Sequence, residues 1–244
     1  MTLVCALKCN NGIVIGSDGQ ASVNTSGGAI RHNIQKIYKI GKHTVFFASG
    51  TIGLIQKCLQ IVNMHAEELD KGFTLGTLES IRKSMFPVVK NARDSYVQYN
   101  NKTEGSPMVD MVLCGFDKSK EPRMWHMSAD THDEFIDAVG CYCSGNGETF
   151  GYSLLKSFGQ SSSNVTSGKL IVYRVLRDTI NSLAFGVGGP IDMWVVFDNR
   201  THRFSKEVVH RISNIEMENL SDLYKRWKEQ EAKLLSETHF DIPN

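Results

Sequence analysis

A threonine directly after the initiator methionine can do chemistry that an internal threonine cannot. Small second residues permit removal of Met1, and Thr2 would then carry a hydroxyl beside a free α-amine of ordinary pKa about 7.7–8.0. Such an amine can take the proton of its own residue's hydroxyl, a recognised way to activate a weak nucleophile. Many chains begin Met-Thr, so Thr2 alone decides nothing. Lys36 adds to it. In Ile34-Gln35-Lys36-Ile37-Tyr38-Lys39-Ile40, strand alternation puts Lys36 on the apolar face with Ile34, Tyr38 and Ile40. A lysine there is unusual, and burial lowers its pKa unless a carboxylate holds its charge. Asp18, which ends the second apolar segment, is the nearest acid in sequence to this cluster. By itself the pair reads first as a structural ion pair.

Glycines supply the third cue. Ser49-Gly50 falls between a strand and a helix, where a backbone N–H can face an anion. Gly145-Asn146-Gly147 precedes another helix, and Gly186-Val187-Gly188-Gly189 follows one. Neither run matches a nucleotide-binding fingerprint, and each reads equally as a turn or helix cap. Other candidates fall away. His65-Ala66-Glu67-Glu68 lacks the second histidine of a zinc helix, and Asp130 to Glu134 lacks calcium-loop spacing. Cys141 and Cys143 can face one way on a strand, but two further ligands at matching spacing are missing, so no metal and no cofactor is expected.

The elements that must position these residues follow from periodicity. Thr2 to Lys8 and Gly12 to Asp18 read as strands around the hairpin signal Asn10-Asn11-Gly12. Gly19 to Asn33 reads as a polar loop, followed by strands Ile34 to Ile40 and Thr44 to Ser49. Helical stripes follow at Leu54 to Val62 and Leu75 to Ala92, the second kinked or divided by Pro87. Strands return at Met108 to Phe116, Arg123 to Met127 and Phe135 to Val139. Helices after Gly147 and from Leu170 to Leu183, strands Ile191 to Phe197 and Thr201 to Ser205, and an amphipathic helix through Leu220 and Leu234 complete the chain. Strands in runs and helices in pairs imply antiparallel sheets with helix layers, an α+β domain.

Composition excludes several classes. In 244 residues, 41% are hydrophobic and 22% charged, which is globular rather than disordered. Twenty-seven basic against 26 acidic residues give no surplus for nucleic acid. No apolar run approaches the roughly 20 residues of a membrane helix, and Met1 to Leu7 lacks the basic start of a signal peptide. A cytoplasmic protein with scattered, space-filling thiols is expected.

Together these residues resemble the proteasome β-type and HslV-like family of N-terminal nucleophile hydrolases. Thr2 and Asp18 match its N-terminal Thr and the Asp ending the next strand, and Asp18-Gly19-Gln20-Ala21-Ser22 is similar to the HslV version. Lys36, Gly50, Gly145-Asn146-Gly147 and Gly188-Gly189-Pro190-Ile191-Asp192 match later motifs in order. The resemblance spans about residues 2 to 198. It implies a four-layer αββα sandwich of two antiparallel sheets between helix layers, in one domain over residues 1–244; the stretch from 217 to 244, without a counterpart in the family, reads as a helical extension.

The implied chemistry is peptide hydrolysis through an acyl ester on Thr2, with Lys36 and the α-amine managing the proton and Asp18 orienting Lys36. Gly50 would hold the oxyanion, and Asn146 stands where the family has Ser. The substrate cleft would be lined by Ala21, Ser22, Ile34, Ala48, Ile52 and Gln56, favouring cleavage after Leu, Phe or Tyr. Protein or peptide substrates, a homo-oligomeric and stacked ring, and room for an AAA-type ATPase partner also follow. The family's supporting Asp and Ser fall on Ala184 and Val187, so a catalytically weak scaffold subunit, or a narrow amidase or acyl-transfer enzyme, stands as the alternative.

Overall fold

The computed structural model describes residues 3–25, 28–128, 133–158, 164–182 and 186–237. In chain order these form β1 (Leu3–Cys9), β2 (Gly12–Ser17), β3 (Gln20–Thr25), β4 (Gly28–Asn33), β5 (Ile37–Ile40) and β6 (Thr44–Gly50). Helices α1 (Ile52–Met64), α2 (Ala66–Leu69) and α3 (Leu75–Asn100) follow, then β7 (Val109–Phe116), β8 (Pro122–Met127), β9 (Asp133–Phe135) and β10 (Cys141–Gly145). The remainder is α4 (Glu148–Phe158), α5 (Val165–Asn181), β11 (Asp192–Phe197), β12 (Arg200–Arg203) and α6 (Lys206–Glu237). Two compact units result, Met1–Phe204 and Ser205–Asn244, the second built on the single helix α6.

Two antiparallel five-stranded sheets make the first unit, ordered β10-β1-β2-β11-β12 and β5-β6-β7-β8-β9, with β3 and β4 a separate pair. Alternation along each strand decides which layer a residue enters. Val4, Ala6, Ile13, Ile15, Val45, Phe47, Val112 and Trp194 meet in one core between the sheets. The opposite parity, Phe46, Ala48, Met111 and Leu113, joins Leu54, Cys58, Leu78 and Ile81 of α1 and α3 in a second core. On the far face a Cβ added to Gly16 would strike Leu176 and Val172 of α5, so that helix lies directly on β2. The expected α+β sandwich of two antiparallel sheets under helices is the observed fold.

Local chemistry sets the element ends. Thr74 caps α3 by accepting the Thr77 N–H at 3.2 Å, and Asn164 caps α5 from Ser167 at 3.0 Å. Asn11 of the first hairpin also accepts the Val165 N–H at 3.0 Å, which ties the β1–β2 turn to the start of α5.

Four expectations are corrected. The polar stretch from Gly19 to Asn33 is a hairpin, paired from Gln20 with Asn33 to Thr25 with Gly28. Pro87 does not divide its helix, since α3 runs unbroken for 26 residues. Pro87 and Lys83 are both exposed, so water can reach the Lys83 carbonyl that lacks its usual donor. The strand expected at Phe135 to Val139 is Asp133–Phe135, and Cys141–Gly145 forms the strand beyond. Lys36 precedes β5 instead of alternating within it; Ile37 and Ile40 are the buried members of that strand. Among the described residues, no helix is long and apolar enough to cross a membrane.

Candidate active site

Asp18 follows β2 directly and is fully buried, which obliges it to find partners. Its Oδ1 accepts the backbone N–H of Leu3 at 2.7 Å and the ammonium of Lys36. Its Oδ2 accepts the Gly188 N–H at 3.0 Å and the Gln20 N–H at 3.2 Å. Lys36 is 3% exposed and gives a second hydrogen bond, to the Gln20 carbonyl at 2.7 Å. Burial lowers the Lys36 pKa, partly offset by the charge and hydrogen bond of Asp18. The chain closes on itself around this pair. Asp18 N–H reaches the Leu3 carbonyl at 3.0 Å, and Gly19 and Gln20 both donate to the Gly188 carbonyl at 3.0 and 3.1 Å.

Thr2 and Ala184 lie outside the described residues, as do the side chains of Ala21 and Ser22, whose backbones belong to β3. Leu3, next in sequence to Thr2, is held at both its N–H and its carbonyl by Asp18. Val187 is buried and apolar, and its neighbour Gly188 supplies the backbone donor to Asp18.

Gly50 ends β6 with φ at 121°, and a Cβ there would lie 2.2 Å from the Met108 carbonyl oxygen. Only glycine meets both conditions. Gly50, Lys36, Ile34, Ala48 and Ile52 line one small cleft of about 20 Å3, together with Gln35, Tyr38 and Ile55. That space holds little more than one water-sized sphere. Gln56 is exposed on α1 and does not line it; Ile55, one position earlier, does.

On its other side Gly50 lines a second cavity of about 710 Å3, shared with Asn146. Here the inner faces of four strands turn polar at their ends. Asp110 of β7 accepts Tyr142 Oη on Oδ2 at 2.5 Å, Ser144 Oγ on the same oxygen, and His126 Nε2 on Oδ1 at 2.6 Å. Because Ser144 commits its one hydrogen to Asp110, the 2.5 Å contact between Ser49 and Ser144 takes its hydrogen from Ser49. Burial alone would raise the Asp110 pKa, but these hydrogen bonds outweigh it and keep the carboxyl below its ordinary value. No motif signals Asp110; the available clue is an acid inside the apolar segment Val109-Asp110-Met111-Val112.

The structure thus brings Asp18, Lys36 and Gly50 together and sets Asn146 across the larger cavity. The proteasome-subunit family model matches residues 2–196 of this chain.

The chain belongs to the proteasome subunit family.

Two curated relatives are proteasome subunits beta. One, from Methanococcus aeolicus, is 22% identical over 219 residues, covering 88% of this chain and 92% of that protein. The other, from Jonesia denitrificans, is 23% identical over 215 residues, 84% of this chain and 67% of that one. Among solved structures, a mutant of Anbu from Hyphomicrobium sp. superposes with a TM-score of 0.65 at 18% identity, covering 92% of this chain and 97% of that one. At that identity the likeness speaks for the fold, and the proteasome-family sandwich is the fold observed here.

Proposed function

We propose that this proteasome-family subunit is a threonine-type peptidase working inside a homo-oligomeric ring. One observation carries the proposal: a buried lysine–carboxylate pair, Lys36 and Asp18, is fastened to the backbone of the residue that follows Thr2. A purely structural ion pair does not need to sit at a chain's first strand and beside a strand-end glycine in an open cleft.

In this reading the Thr2 hydroxyl attacks the amide carbonyl of a protein or peptide. Its proton passes to the α-amine, whose basicity the neighbouring Lys36 ammonium tunes, and from there to the departing amine. The Gly50 N–H steadies the oxyanion, a contribution worth about 2.7–4 kcal/mol for one donor. Water then enters, gives a proton to the amine and attacks the Thr2 ester; the acid departs and the amine returns that proton to the Thr2 hydroxyl. Asp18 holds Lys36 charged and aimed. Asn146, exposed across the cavity, supplies an amide where the substrate backbone would pass. The cleft of about 20 Å3 under Ala48 and Ile52 favours a small apolar side chain before the cleaved bond, and its one charged lining group, Lys36, is already paired with Asp18.

A catalytically weak ring subunit is the second reading, favoured by Val187, which offers the site only backbone donors and no polar side chain. One experiment separates them. The purified protein is incubated with a threonine-directed electrophile and its intact mass is measured beside Thr2→Ala. A single adduct on the Thr2 chain, absent from the variant, is expected; no adduct on either leaves only the scaffold.

A further inference from the structure

The two cavities that share Gly50 differ in chemistry. The small cleft is apolar apart from Lys36 and Gln35. The larger one, at about 710 Å3, lies within the roughly 300–1,000 Å3 typical of ligand sites. Among the described residues its wall carries two carboxylates, Asp110 and Glu148, two tyrosines and no lysine or arginine. Asp110 is fixed by its three donors, so it does not turn away when something binds. A carboxylate offers about four acceptor positions, and described residues take three of them, two on Oδ2 and one on Oδ1. The side chain is still 29% exposed and lines the cavity, so it stays within reach of an incoming donor.

We infer that this cavity receives a cationic side chain, arginine above all, from the part of the substrate beyond the cleaved bond, and that Asp110 sets that preference. The inference rests on the peptidase reading for its direction: with the scissile carbonyl at Gly50 and one side chain in the small cleft, the chain beyond must run along the opposite wall. A guanidinium suits the site because its fork can use the open side of Asp110 while its flat face lies against tyrosine. Glu148 adds charge at the rim, where its Oε2 is 3.3 Å from the Gly145 N–H it accepts. Other charged groups stand nearby. His126 backs Asp110 and lies 3.8 Å from Glu134, while Lys156 sits over the Tyr152 ring at 5.8 Å.

The test uses the full-length Thr2→Ala chain, which binds without turnover. Fluorescent peptides carry Ala before the scissile bond and arginine, norleucine or glutamate after it, and anisotropy reads their affinity. Arginine should bind about tenfold more tightly than norleucine, and glutamate more weakly than both. Asp110→Asn added to that chain should erase most of the arginine preference. Glu148→Gln, which removes only the rim charge, should reduce it in a protein whose Asp110 bonds are intact. Equal affinity for arginine and norleucine peptides would overturn the inference. Turnover by the unmodified chain is followed in parallel. Turnover with no arginine preference removes the subsite and keeps the peptidase; an arginine preference without turnover removes the peptidase and keeps the subsite.

Discussion

Leu3 donates its backbone N–H to the same oxygen of Asp18 that receives the Lys36 ammonium. One carboxylate oxygen therefore sets both the position of the first strand and the charge beside it. Lys36→Ala leaves Asp18 buried without its counter-ion, a change that costs about 3–5 kcal/mol in comparable pairs. Asp18→Asn keeps the shape but loses the charge. Each should remove most peptide hydrolysis, and the double variant should lose little more, because the pair acts as one unit. Rates for the four proteins, with unfolding midpoints alongside, check this; strictly additive losses would separate the two roles.

Burial lowers the Lys36 pKa from its ordinary value of 10.5. The folded chain then holds this proton less tightly than the unfolded one. Between the folded value and 10.5, the unfolded state carries more protons, so this group's contribution makes stability rise with pH across that window. Denaturant unfolding at stepped pH should show the rise in the wild type, and Lys36→Arg, which keeps its proton, should flatten it.

Gly50→Ala should damage both fold and activity. The positive φ alone costs about 1–3 kcal/mol in a non-glycine residue, and the new Cβ would also press on the Met108 carbonyl. Thermal unfolding measures the first effect. For the second, the rate of adduct formation with the electrophile should fall further than the loss of folded protein explains.

Ala48 is 3% exposed and floors the small cleft. Fluorogenic peptides varying only before the cleaved bond should rank Ala and Val above Leu, Phe and Tyr, with Lys, Arg, Asp and Glu slowest. Ala48→Gly should move the optimum toward larger apolar residues through kcat/KM. A wild-type optimum at Phe would mean that Ile52 and Tyr38 swing aside on binding.

Ring assembly predicts a native mass of many subunits. A stable monomer that hydrolyses peptides at full rate would count against it.

The first hairpin was legible because Asn10-Asn11-Gly12 needs no tertiary help to turn. Lys36 was legible for a different reason: a lysine among isoleucines demands a buried partner wherever its strand begins. The strands β3 and β4 were not legible, since Gln20 to Asn33 is rich in Gly, Ser and Asn and shows no sustained alternation. Pro87 misled because the penalty for proline in a helix depends on whether the freed carbonyl reaches water, which sequence does not show. Asp110 stayed hidden because its partners come from β8 and β10, and only the register of two facing sheets joins them.

The bond from Gly188 to Asp18 spans 170 positions of the chain, and β1 is flanked on one side by β10, which is made late. At synthesis rates of about 5–20 residues per second, roughly 8 to 34 seconds separate the emergence of Asp18 from that of its last partner. Until β10 is made, β1 has only β2 beside it, and the carboxylate lacks its Gly188 donor until that residue follows. Under the peptidase proposal, the groups at the start of the chain therefore stay incomplete until the segment carrying Gly188 has been made.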